Sequence, residues 1–178
     1  VYALTDKFVQ HQDVILKAFG AENFFTDLPS TSFYGAWDVS SANWDNSLLE
    51  CFDLNPYQFG QPTPSGTQVG MITSVVAEQT GFPAGTPICV GAWDQTCGVI
   101  GMGSILPGMA SVTLGTAGLA ILVLDKPMTG CGGLFTNHHA SSETWQLAGA
   151  SITAASSYRW FRDTIGTLEV DQARQKRV

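Results

Sequence analysis

The sequence predicts an α/β fold that holds parts of two domains, and three observations carry that prediction. A short apolar run, Ile88-Cys89-Val90, lies between turn residues and is followed at once by a tight loop and a small-residue helix pattern, giving strand, loop and helix in succession. Further on, two β-rich runs, Ser111 to Leu114 and Leu119 to Leu124, flank the four-residue turn Gly115-Thr116-Ala117-Gly118 and read as a hairpin. Between these units Pro107-Gly108 breaks the chain and marks the best internal domain boundary.

The remaining elements follow from spacing and punctuation. Phe8 to Phe19 places Phe8, Val9, Ile15, Leu16 and Phe19 near one face at helical spacing, with Gly20 as the stop. Residues 25 to 47 are rich in Ser, Thr, Asp and Asn with Phe33, Tyr34, Trp37 and Trp44 interleaved, which predicts a long ordered loop with room for a short strand. Ser47 to Phe52 reads as a short helix. Pro56 to Gly70 has three prolines and three glycines and reads as a surface connection. Thr73 is placed to cap a helix that runs to Thr80 and closes on Gly81, and Pro83 to Pro87 is a turn that delivers the chain into a buried strand at Ile88-Cys89-Val90. Thr96 to Gly103 is apolar and small, suited to a helix packed on a sheet. A last helix is expected over Gly149 to Ile165, ended by Gly166.

Composition bounds the function. The 178 residues, 44% of them apolar, suffice for one domain or parts of two. Eight Lys plus Arg face 15 Asp plus Glu, a field that repels nucleic acid and anionic lipid, so neither is an expected partner and a phosphate-bearing ligand needs a local site. Cys51, Cys89, Cys97 and Cys131 form no CxxC pair, and with only His11, His138 and His139 beside them no metal site is assigned. The longest aliphatic run, Leu119 to Leu124, falls far short of the ~20 residues that span a bilayer, and a reducing cytoplasm is the expected location. The chain opens on Val1-Tyr2-Ala3 and stops after Lys176-Arg177-Val178, in a stretch that reads as the middle of a fold, so a fragment is expected.

Two loops carry the chemistry. In an open α/β sheet ligands gather beyond the carboxyl ends of strands, where Gly91-Ala92-Trp93-Asp94-Gln95 is placed. An acid at a helix start is favoured in its charged form by unpaired N–H groups, and Gln95 beside it both donates and accepts, which suits a hydroxylated substrate. Gly115 and Thr116 offer backbone N–H groups, a hydroxyl and room for a phosphate. Each loop alone also reads as a helix cap or a plain hairpin turn. Together they describe a carboxylate and a phosphate cradle on two walls of a cleft, the arrangement that phosphoryl transfer to an alcohol needs.

Gly81-Phe82-Pro83-Ala84-Gly85-Thr86-Pro87, Val90 to Gln95, Pro107-Gly108-Met109-Ala110 and Thr113 to Gly118 resemble, in order and spacing, the FGGY family of carbohydrate kinases. Phe25-Thr26-Asp27 through Trp44-Asp45 and Trp160-Phe161-Arg162-Asp163 extend the likeness over nearly the whole chain. The resemblance implies an actin-like (ribonuclease H-like) fold whose two domains close on ATP, Mg2+ and a sugar or polyol. It makes residues 1–104 the end of the first, sugar-binding domain and residues 105–178 the start of the second, nucleotide-binding one. By it Asp94 matches the general base, Gln95 contacts substrate hydroxyls, and Gly115 and Thr116 match the turn that holds the nucleotide phosphates. Ala155 aligns with a small residue that lets a helix backbone approach the nucleotide, and it reads equally as a core-packing alanine.

The leucine-led Leu114-Gly115-Thr116-Ala117-Gly118 looks most like xylulokinases and related ketose kinases, whereas Gln95 is closer to the glycerol kinase pattern. A homodimer is carried among the partner expectations. His138 and His139 are expected in a surface loop or hairpin, and Phe33, Tyr34 and Trp37 mostly in core or interdomain packing. The family's acidic, glycine-rich first turn and its adenosine-binding glycine segment have no counterpart here, so the isolated piece is expected to turn over little. Two alternatives stand beside the kinase: a noncatalytic actin-like scaffold, and a hydrolase using Cys97, for which no His-Asp partnership is visible.

Overall fold

The computed structural model describes residues 2–176; Val1, Arg177 and Val178, at the ends from which a fragment is expected, lie outside the described residues. The first helix, α1 (His11–Phe19), starts three residues later than its apolar face implies. Phe8 is drawn out of it by a bridge to Phe59 and by ring contacts with Tyr2 and Phe59. Gly20 stops the helix at φ +127°, and a Cβ there would lie 2.4 Å from the carbonyl oxygen of Met71, so both backbone angle and space require glycine.

The polar stretch after residue 25 is more structured than its composition implies. It holds β1 (Phe25–Asp27), the single turn α2 (Leu28–Thr31), a 3-10 turn at Ser32–Tyr34, and the small hairpin of β2 (Trp37–Asp38) with β3 (Asn43–Trp44), followed by α3 (Asn46–Cys51). Asp27 caps α2, with Pro29 in the first turn. The expected surface connection over Pro56 to Gly70 is corrected as well. It contains β4 (Gln61–Thr63), parallel to β1, and β5 (Gln68–Met71), antiparallel to β6 (Pro87–Cys89), with Phe59 and Val69 buried. Pairing with distant strands overrides the local proline and glycine signal. Between β5 and β6, α4 (Ser74–Thr80) is capped by Thr73 and closed by Gly81 in the left-handed region, as expected. The predicted buried strand alternates: Ile88 and Val90 are buried and Cys89 is exposed.

After β6 comes α5 (Asp94–Gly101), then one four-stranded antiparallel sheet in the order β7 (Ala110–Leu114), β8 (Gly118–Leu124), β10 (Trp145–Ser151), β9 (Phe135–His138). The predicted hairpin is β7 and β8. The predicted helix over Gly149 to Ile165 splits: Gly149 to Ser151 continue β10 against Gly118 to Ala120, and the helix α6 occupies only Ala155–Thr164, followed by α7 (Thr167–Gln175). Apolar spacing cannot tell the end of a strand from the start of a helix when the strand's partner is thirty residues away.

Three cores result. Val69, Ile72, Ile88 and Val90 pack beneath α1 and α4; Ala36, Leu49 and Phe59 pack with Trp44 and Tyr34; and Val99 of α5 packs on Ile121, Val123 and Ala148 of the sheet. The helix that carries Asp94 is therefore seated on the four-stranded sheet. That contact is reinforced by a buried hydrogen bond from Gln146 Nε2 to Thr96 Oγ1 at 2.8 Å. No helix among the described residues is long and apolar enough to cross a membrane.

Candidate functional site

Asp94 opens α5 directly after the β6 strand and its Gly91-Ala92-Trp93 loop. Its carboxylate is exposed and accepts from the backbone N–H of Gln95 at 2.8 Å and from Gln95 Nε2 at 3.3 Å. The two expected substrate residues are thus paired with each other. Asp94 lines a cavity of about 530 Å³ with Gln10, His11, Gln12, Phe33, Ala92 and Trp93. The Phe33 and Trp93 rings meet edge to face at 5.0 Å, which gives one wall an aromatic surface. Of the aromatic run, Tyr34 and Trp37 pack inward as expected, while Phe33 is half exposed beside Asp94.

Behind this cavity lies a buried polar layer. Asp27, 1% exposed, accepts from Ser30 N–H at 3.0 Å and Trp93 N–H at 3.1 Å through Oδ1, and from Gln12 Nε2 at 3.2 Å through Oδ2. Asp13, 0% exposed, accepts from the Gln10 N–H and the Thr26 hydroxyl. Burial pushes the Asp13 carboxyl above the usual carboxylate range, against the opposing pull of the Thr26 and Gln10 hydrogen bonds. Gly60 seals this layer, since a Cβ there would lie 2.1 Å from Thr26 Oγ1 and 3.0 Å from Asp13 Oδ2.

Gly115 and Thr116 form the turn of the β7–β8 hairpin, closed by a hydrogen bond from Gly115 N–H to the Ala117 carbonyl at 2.9 Å. The start of α6 docks on it: Ala155 N–H donates to Gly115 O at 3.0 Å, Ala154 N–H to Thr116 O at 2.9 Å, and Ser156 Oγ to Thr116 O at 2.9 Å. The structure therefore brings Ala155, Gly115 and Thr116 together, three expected site residues forty positions apart in sequence. Gly118 permits the docking, because a Cβ there would sit 3.0 Å from Ala154 Cβ. Gly115 is different: its Cβ would meet only Ala117 O, at 3.7 Å, so the fold leaves open space in front of it. The turn does not line the Asp94 cavity. What joins the two is shared packing, with Trp93 and Leu119 both against the Val99, Ile121, Val123 and Ala148 core.

The histidines are not at the surface. His138 and His139 are 6% and 4% exposed, and burial pushes both imidazoles below their ordinary range. The Trp37 and Trp145 rings cover His138, and Ser141 N–H donates to His139 Nδ1. His138 ends β9 and His139 follows it, both line one cavity, and this edge of the sheet packs against residues of the first half, as the Asn137 Nδ2 to Pro29 O bond shows. Cys97 points its thiol at the Ala92 carbonyl, and among the described residues no imidazole bonds to it. Gln10, His11, Gln12 and the support at Asp27 carry no sequence motif. The one local signal is Asp27-Leu28-Pro29-Ser30, a cap with proline in the first turn.

The model of the FGGY family of carbohydrate kinases, N-terminal domain, matches residues 1–101. The chain is 32% identical over 130 residues to an autoinducer-2 kinase of Yersinia enterocolitica, covering 72% of this chain and 25% of that protein. It is 25% identical over 167 residues to a gluconokinase of Bacillus subtilis, covering 94% of this chain and 32% of that protein. The xylulose kinase structure from Rhodospirillum rubrum superposes with a TM-score of 0.81 at 20% identity, over 97% of this chain and 35% of that one. The chain belongs to the FGGY family of carbohydrate kinases and has its actin-like fold. It spans about a quarter to a third of the length of these relatives.

Proposed function

We propose that this chain is the central part of an ATP-dependent kinase that phosphorylates a sugar hydroxyl, with residues 1–104 on the sugar side and residues 105–178 on the nucleotide side. In this reading Asp94 hydrogen-bonds the attacking hydroxyl and takes its proton as the new oxygen–phosphorus bond forms. Gln95 exchanges its bond to Asp94 for one to a neighbouring substrate hydroxyl. Phe33 and Trp93 offer an apolar wall to the carbon face of the sugar. Gly115 and Thr116 hold the phosphates of the nucleotide, which supplies the phosphoryl group and brings Mg2+ with it, and the small side chain of Ala155 lets the start of α6 approach the nucleotide.

The observation that carries the reading is the open space at Gly115. The fold itself asks for no glycine there, while the Thr116 and Ala117 N–H groups donate to no other group among the described residues. An anion approaching the backbone donors of this hairpin turn accounts for both features. For the substrate, a ketose such as xylulose, or a related polyol, fits the Leu114-led turn; the relatives' names add gluconate and autoinducer-2 to the candidates. A cytoplasmic location goes with that substrate class.

The test is phosphorylation by the complete protein of xylulose, ribulose, glycerol, erythritol, gluconate and autoinducer-2 with ATP and Mg2+. At least one is expected to give product, and Asp94→Asn is expected to lower kcat by about 10²–10⁴ with unchanged thermal stability. No product from any of the six would favour a noncatalytic scaffold and overturn the reading.

A further inference from the structure

We propose that Asp27 is a positioning residue for Asp94, its buried carboxylate fixing the backbone that presents the Asp94 side chain to the cavity. The proposal rests on the role given to Asp94 above. Its structural basis is the set of donors that Asp27 collects: Trp93 N–H, one residue before Asp94; Ser30 N–H in α2, which leads to Phe33; and Gln12 Nε2 in α1. Every segment that lines the cavity is therefore tied to one carboxylate.

Capping does not account for this arrangement. Asp45 caps α3 by accepting from the backbone N–H groups of Ser47 and Leu48, and it stays partly exposed. Asp27 takes only Ser30 N–H from the four-residue helix it caps, yet it is 1% exposed. Taking a carboxylate out of water is costly unless its lone pairs are met by well-placed donors. A serine would cap α2 without that cost. A serine hydroxyl sits one bond closer to the backbone and is a single oxygen, so it cannot stand where Oδ1 takes Trp93 N–H, 66 residues away, together with the cap, and it has no counterpart of the Oδ2 that meets Gln12, 15 residues away. The carboxylate is thus matched to the junction of α1, α2 and the α5 loop rather than to the helix end.

The consequence falls on Asp94. Trp93, at φ −48°, ψ 137°, stands outside the helix immediately before its first turn, and its N–H is directed back to Asp27. Without that bond the Ala92–Trp93 peptide is free to rotate, and the next residue turns with it. Displacing a reacting group by about 1 Å costs on the order of 10²-fold in rate.

Two variants of the complete protein separate positioning from capping. Asp27→Ser keeps a cap for Ser30 N–H but releases Trp93, whereas Asp27→Asn keeps an oxygen for both. Asp27→Ser is expected to lower kcat roughly tenfold to a hundredfold with little change in the sugar KM, and Asp27→Asn to restore most of it. Amide exchange of the peptide spanning Gly91 to Asp94 is expected to speed up in Asp27→Ser and not in Asp27→Asn, with β8 amides unchanged in both. Wild-type kcat in Asp27→Ser would overturn the proposal, and so would unaltered exchange at Gly91 to Asp94. If the wild-type protein phosphorylates none of the sugars, the kinase reading fails by itself, and the role of Asp27 in catalysis falls with it, whatever the exchange data show about the anchor.

Discussion

The loop that carries Asp94 and the turn at Gly115 and Thr116 are held in place in opposite ways. The first is anchored by side chains from distant elements, with Asp27, Gln12 and Ser30 converging behind it in a buried layer. The second is anchored by main-chain groups, its two carbonyls taken by Ala154 and Ala155 N–H groups and assisted only by the Ser156 hydroxyl. A side-chain anchor depends on the identity of each residue in it and on every polar atom being satisfied. A main-chain anchor asks only that nothing bulky stand between the two backbones. The Asp94 loop should therefore be broken by changes far from it, and the hairpin turn only by changes in contact with it.

The largest effect expected from that contrast comes from Gly60→Ala. The new methyl would lie 2.1 Å from Thr26 Oγ1, a short side chain with no room to move, and would force it off the Asp13 carboxylate. Overpacking together with an unsatisfied buried acceptor predicts a loss of about 3 kcal/mol, read by chemical denaturation of the complete protein. A change under about 1 kcal/mol would show the polar layer to be loosely packed, and the contrast between the two anchors would fail.

The next effect separates the halves by pH. The buried imidazoles of His138 and His139 titrate below their ordinary range, so the unfolded chain binds more protons than the folded one between that lowered value and about 6.5. Their contribution is complete above about pH 6.5 and is lost as pH falls through the window, by at most about 1.4 kcal/mol per pH unit for each proton. Asp13 has the opposite sign, because burial raises its folded value above the ordinary 3.8, so its penalty at neutral pH is relieved on acidification. Acidification from pH 7 is thus expected to weaken amide protection in β9 before it weakens β1. A double His138→Asn, His139→Asn variant should lack that early loss.

How far each anchor was legible in the sequence follows from the same distinction. The hairpin and its turn, the Thr73 cap and the Gly81 stop are local patterns found where their residues imply, and the helix expected over Thr96 to Gly103 is found two residues earlier, at Asp94–Gly101. Asp94, Gln95, Gly115 and Thr116 stand on these elements. Asp27 could be read only as a cap, because its other donors come from residues 12 and 93, and no spacing rule links them. The strands at Gln61–Thr63 and Gln68–Met71 were hidden for a related reason: prolines and glycines signal a loop locally, while the pairing that makes a strand lies in β1 and β6. His138 and His139 looked like surface residues because burial is a property of what packs on a strand, here Trp37 and the segment around Pro29.

The smallest effect is also the one that tests the turn most directly. Gly118→Ala places a methyl 3.0 Å from Ala154 Cβ, close enough to push the α6 start away by a few tenths of an ångström but not to prevent folding. A loss of about 1 kcal/mol in stability is expected, at the low end of overpacking costs. Because the same shift pulls Ala154 and Ala155 from the carbonyls of Thr116 and Gly115, the KM for ATP should rise while the KM for the sugar stays. Gly115→Ala is the partner measurement. Its methyl meets only a carbonyl oxygen at 3.7 Å, so stability should be unchanged while the KM for ATP rises at least as much. If Gly115→Ala left the KM for ATP unaltered, the open space in front of the turn would be free of phosphate, and the main-chain anchor would be structural alone.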